Sequence, residues 1–120
     1  MSHLVLTRKT GSKVDCGYQL EKEDLEQTSD FIIGIEEVTG GLKERKVEFS
    51  VENSKDRTTN SFILSADKQE KQIGESAEVT LVLIDVVSST KENEGRPIPK
   101  ARIGIEAPKN MKVYRDDINK

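Results

Sequence analysis

Apolar residues along this chain recur in short runs, and several of them alternate strictly with polar ones. Leu4-Val5-Leu6 is a β-rich run ended by Thr7-Arg8-Lys9-Thr10-Gly11. Phe31-Ile32-Ile33-Gly34-Ile35 predicts an apolar strand, and Thr39-Gly40-Gly41 a turn after it. Residues 46–52 alternate, which puts Val47, Phe49 and Val51 on one face. Residues 53–60 are polar. Further strands are predicted at 61–64 and 79–87, and at 101–106, where Ala101, Ile103 and Ile105 share a face. Ala107-Pro108-Lys109-Asn110 reads as a turn before a last short strand at 111–115. Residues 88–99 hold Gly95, Pro97 and Pro99 among charges, so a long, exposed, disordered hairpin tip is expected there. Residues 19–30 break the pattern. Leu20 and Leu25 stand among helix formers, which suits either a short amphipathic helix or a charged loop. Short strands joined by turns predict an all-β domain.

The blocks also occur twice in the same order, the second series starting near residue 62. Leu4-Val5-Leu6-Thr7 aligns with Phe62-Ile63-Leu64-Ser65, and Cys16-Gly17 with Ile73-Gly74. Gly34-Ile35-Glu36-Glu37-Val38 aligns with Leu83-Ile84-Asp85-Val86-Val87, and the alternating strand at 46–53 with the one at 100–107. One compact domain, 1–120, is therefore expected to contain two internal copies, about 1–61 and 62–120.

Composition narrows the function. Five aromatics (3 Phe, 2 Tyr) and no Trp in 120 residues leave a thin, aliphatic core. The net charge of −3 argues against a broadly basic surface, but it is unevenly spread. Residues 1–14 carry three bases and no acid (+3), residues 15–76 eight bases and 15 acids (−7), and residues 77–120 eight bases and seven acids (+1). One Cys allows no intrachain disulfide and no multi-Cys zinc site, and His3 stands alone. Cys16 is expected to pack where the second copy has Ile73, not to act as a nucleophile. The acids around residue 24 lack the spacing of a calcium loop, and no phosphate-cradling glycine loop is present. No nucleophile–base pair assembles, so neither an enzyme nor a cofactor is expected. The longest apolar run is too short to span a bilayer, and no signal-peptide pattern opens the chain. The expected setting is cytoplasmic.

The two ends of the chain resemble the carbon storage regulator family (CsrA, also called RsmA) of bacterial RNA-binding translational regulators. The opening Leu4-Val5-Leu6-Thr7-Arg8-Lys9-Thr10-Gly11 is similar to that family's first strand and turn. The closing block from Ala101-Arg102-Ile103-Gly104-Ile105-Glu106-Ala107-Pro108-Lys109 through Val113-Tyr114-Arg115-Asp116-Asp117-Ile118 is similar to its last two strands. The resemblance covers roughly residues 1–17 and 73–118. It implies five strands per copy, intertwined antiparallel sheets, and composite sites in which the first strand of one copy lies beside the fifth of the other. The implied partner is single-stranded RNA, a GGA triplet in a hairpin loop of mRNA or small RNA, with no DNA and no membrane. Carried onto this chain, the RNA-binding residues are Leu6, Thr7 and Arg8 with Lys9 beside them, and Val113 and Arg115. Tyr114 lies between the last two and is either a stacking platform or an ordinary exposed strand aromatic. Arg102 adds attraction without base selectivity. Family members usually continue into a C-terminal helix, which can dock a protein antagonist; only two residues follow Ile118 here, so no such antagonist is assigned.

The repeat sharpens the site. Copy one keeps Leu6-Thr7-Arg8-Lys9, but its expected fifth strand reads Arg57-Thr58-Thr59-Asn60-Ser61. Copy two has Leu64-Ser65-Ala66-Asp67 at its first strand and keeps Val113-Tyr114-Arg115. The chain thus reads as a monomeric pseudo-dimer with one live composite site and one dead one. If residues 18–72 are instead an acidic insertion, the molecule is a homodimer with two sites. A different class of function, a protein-interaction scaffold or antagonist using the acidic middle, stands behind RNA binding. The solution mass separates the first two readings: 13.4 kDa is expected for the fused form, and twice that would show a homodimer.

Overall fold

The computed structural model describes residues 2–39, 45–54, 57–65, 68–74, 78–89 and 98–115. They form nine strands: β1 (Ser2–Lys9), β2 (Lys13–Gly17), β3 (Phe31–Thr39), β4 (Lys46–Asn53), β5 (Thr58–Ser65), β6 (Glu70–Ile73), β7 (Val79–Ser89), β8 (Ile98–Ala107) and β9 (Lys112–Arg115). Between β2 and β3 a 3-10 turn (Lys22–Asp24) leads into a single helical turn, α1 (Leu25–Thr28). The chain is all-β, in two antiparallel sheets of order β1-β8-β7-β6 and β5-β4-β3-β2-β9.

Each sheet contains strands from both ends of the sequence. β1 pairs with β8 from Ser2↔Ala107 to Lys9↔Lys100. β9 pairs with β2 from Val14↔Arg115 to Gly17↔Lys112. The registers of the two sheets match. Leu6 faces Ile103 and Phe62 faces Phe49, and both neighbouring hairpins carry one bulge, between Ile35 and Glu37 and between Leu83 and Asp85. Through these pairings Gly34 corresponds to Val82 and Leu6 to Phe62. The sequence alignment above differs, by one residue in β3 and by two in β1. A two-residue slip keeps every side chain on its own face, so hydrophobic pattern alone does not detect it. The β3 slip is hidden by the bulges, which shift phase mid-strand.

Other expectations also change. β1 continues through Thr7, Arg8 and Lys9, and the turn is confined to residues 10–12, where Ser12 N–H bonds Lys9 O at 3.1 Å. Gly11 sits there at φ +90, the left-handed third position that a type II turn gives to glycine. β2 and β6 escaped notice because four or five residues of mixed polarity carry no strong period. Residues 58–61, expected as a separate fifth strand, are the first half of β5 and pair with β4. All four of these side chains are exposed. With nothing apolar to bury, the segment runs on as the polar end of an edge strand. At the hairpin tip, Pro99 lies within β8 opposite Ser88 and past the last β1 partner, where a missing N–H is tolerated. Residues 90–97 lie outside the described residues, as do Ala66 and Asp67.

The inward faces of the two sheets close one hydrophobic cluster, with Val14, Ile33, Val47, Phe49, Leu64, Leu81 and Ile103 fully buried. The Phe49 and Phe62 rings stack at 5.6 Å. Cys16 is part of this core, and it corresponds to Ile73 as the alignment expected. Burial pushes its thiol up to about 12 from 9.0, with the Asp15 and Asp30 carboxylates adding in the same direction. The fold therefore holds the neutral thiol. Below pH 9 this costs nothing; between about 9 and 12 the unfolded chain ionises first and stability falls, by at most ~1.4 kcal/mol per pH unit. Urea midpoints at pH 8 and pH 10 are expected to show a smaller alkaline loss for Cys16→Val than for the native chain.

Candidate nucleic-acid interface

β1 is an edge strand, so the backbone groups on its side away from β8 have no ladder partner among the described residues. Its side chains alternate: Leu6 and Arg8 are buried, whereas Val5, Thr7 and Lys9 are exposed. Leu6 is 1% exposed, so toward a ligand it offers backbone only. Arg8 is 5% exposed; its guanidinium is held against the body of the protein rather than free in solvent. Such a cation is costly to place unless it is paired and hydrogen-bonded, and Arg8 does interact with its surroundings.

The exposed residues of β1 meet basic residues on β8. Thr7 lies opposite Arg102, and Lys9 opposite Lys100. On the far side Arg102 faces Asp85, whose carboxylate is 3.3 Å from the Arg45 guanidinium. Lys9, Lys100, Arg102 and Arg45 thus form a basic corner on the outer face of the four-stranded sheet. Lys100 and Arg45 were not singled out from sequence. Lys100 was findable, because it sits two residues before Arg102 on the same face of an alternating strand. Arg45 had no signal, because its placement depends on the packing between sheets.

β9 is the edge of the other sheet, next to β2. The three-residue turn after Lys9 delivers the chain from β1 into β2, and Val14 of β2 is the register partner of Arg115. The two ends of the sequence therefore come to one flank of the molecule. Val113 packs against the core. Tyr114 is 9% exposed, so it is neither an open stacking platform nor an exposed aromatic. The segment between β2 and β3 covers it: Leu20 and Leu25 line a cavity with the ring, and Lys22 Nζ is 5.9 Å from the ring centroid. Arg115 is described only by its place in the strand; its side chain lies outside the described residues.

The corresponding corner of the five-stranded sheet differs in charge. By register Ile63 stands for Thr7, Leu64 for Arg8 and Ser65 for Lys9. Glu48 stands for Arg102. Leu64, not Ala66, takes the place of Arg8, and it is fully buried. Glu37 faces Glu48 directly, with Glu36 beside them, so the outer face there is acidic.

Comparison with protein-family models, with curated proteins and with solved structures finds no match in any of the three. Among the described residues no helix is long and apolar enough to cross a membrane, and no cluster of His, Cys, Asp and Glu is arranged to hold a metal.

Because Leu64 fills the Arg8 position without disturbing the pleat, Arg8→Leu is expected to fold, with a melting temperature within a few degrees of native. A collapse of the thermal transition would show that Arg8 is a structural cation alone.

Proposed function

We propose that the chain is a fused tandem of two carbon storage regulator-like units and binds a single-stranded RNA loop at one composite site. The observation that carries this reading is the placement of the two motif-bearing ends. β1 and β9 come from opposite ends of the sequence, both are edge strands, and the β1–β2 turn with the β2–β9 pairing joins them on one flank. Unpaired bases in a loop are read by edge-strand backbone and a few side chains, which suits this arrangement. Thr7, Lys9, Lys100 and Arg102 line the approach, and Arg8 is held beneath it. An Arg fork to guanine or phosphate contributes roughly 1–3 kcal/mol.

The second composite site is dead in this proposal. Leu64 and Ile63 replace Arg8 and Thr7, Glu48 replaces Arg102, and residues 58–61 pair with β4 and not with β6. The acidic outer face around Glu36, Glu37 and Glu48 repels phosphate. A GGA hairpin RNA titrated by fluorescence anisotropy and native mass spectrometry is expected to bind one per chain. Arg115→Ala and Arg8→Leu should each weaken it by at least tenfold at unchanged fold. Two RNAs per chain, or equal affinity for a hairpin with the GGA replaced, would overturn the proposal.

A further inference from the structure

The two sheets correspond strand for strand except at one place. In the five-stranded sheet β9 closes the edge of β2; in the four-stranded sheet the corresponding strand, β6, is itself the edge. Among the described residues nothing pairs with the outer side of β6. Leu83 N–H bonds Gln69 O at 2.7 Å, and hydrogen-bonded pairs alternate along an antiparallel ladder. Lys71 and Ile73 therefore direct their backbone groups to β7, and Glu70 and Gln72 direct theirs outward.

Alongside this edge runs an open cleft of about 440 Å³ between β6 and the first half of β5. Its apolar lining is Phe31, Val51, Phe62 and Ile73; Asn53 and Asn60 are among its polar lining. Lys71 also lines it. Lys71 corresponds by register to Val14, an inward position that is fully buried in the other sheet. Its ammonium is 5.5 Å from the Phe62 ring centroid and has no carboxylate partner among the described residues. A half-buried cation beside apolar floor and open backbone groups is an arrangement that an extended peptide satisfies, through main-chain bonds and alternate side chains.

We infer that the β6 edge is a docking site for an extended protein segment, which adds antiparallel as the fifth strand of the four-stranded sheet. The molecule itself shows the register. In β9, Val113 lies opposite Cys16 and Arg115 opposite Val14. On β6 the corresponding guest residues lie opposite Ile73 and Lys71. The first is apolar and enters over Phe31 and Val51; the second, two residues later, is an acid that pairs with Lys71. The guest pattern is apolar, any, acidic. This inference is independent of RNA binding.

The probes are two synthetic peptides of residues 110–116, one native and one carrying Arg115→Glu. They are titrated into the full 15N-labelled chain and followed by amide chemical shifts. The Arg115→Glu peptide is expected to shift residues 70–74 and 58–62, at least fivefold more tightly than the native peptide. Lys71→Glu in the protein should reverse that order. N-methylation of the peptide amide opposite Gln72 should abolish binding without altering the protein. Absence of shifts, equal binding of both peptides, or shifts confined to β1 and β2 would overturn the inference. So would concentration-dependent shifts of β6 without peptide, which would place a second copy of the chain there. A GGA hairpin RNA shifting residues 70–74 would overturn it equally.

Discussion

The structure depends on strand exchange between the two halves of the chain. β1 belongs to the sheet built from the second half, and β9 to the sheet built from the first. Pairing with β8 holds Leu6 on the inward face, where it joins the core shared by the two sheets, and pairing with β2 holds Val113 against that core. Burying a side chain the size of leucine contributes roughly 1.5–3 kcal/mol, so an isolated half would lose several such terms while exposing two raw sheet edges. The thin aliphatic core is thus made sufficient by covering each sheet with the other half's strand. The candidate interface follows from the same exchange, since only exchange brings the first and last strands together.

Charge is divided between the outer faces of the two sheets. At the β1–β8 corner Lys9, Lys100 and Arg102 surround Asp85, whereas the corresponding corner of the other sheet carries Glu36, Glu37 and Glu48; farther along, Glu70 and Glu106 share the first outer face and Lys13 and Lys46 the second. At corresponding positions Arg102 and Glu48 have opposite signs. Opposed glutamates in one ladder destabilise it modestly, so the acidic face is not explained by the sheet's own needs. The net charge of −3 averages over two corners of opposite character. Long-range attraction of a polyanion is weak on that sum.

Much of this was legible in the residue pattern. Strict alternation at 46–53 and 101–106 identified the two central strands and their buried faces. The repeat order placed Cys16 against Ile73, and the pairings agree. The short strands β2 and β6 were not legible, because four or five residues hold too few apolar positions for a period to show. Burial of Tyr114 was also hidden, since it depends on a neighbouring segment, 20–28, folding over β9. Burial of Arg8 was hidden because the strand was expected to end before it; once β1 runs on to Lys9, alternation puts Arg8 on the face of Leu6. The fate of residues 58–61 turned on what they lack, an apolar residue worth inserting between sheets.

Strand exchange also has a consequence for synthesis. The pairing of Ser2 with Ala107 is nearly as remote in sequence as a 120-residue chain permits. High separation of contacting residues slows folding, because loop closure precedes any reward from the contact. A nascent chain can form the hairpin of β3 and β4 early. Its β1 has no partner until β8 has left the ribosome. For most of translation the segment that carries Thr7, Arg8 and Lys9 is an unpaired strand on an unfinished molecule. The corner that brings Thr7 and Lys9 together with Arg102 and Lys100 is therefore assembled only after β8 has been made.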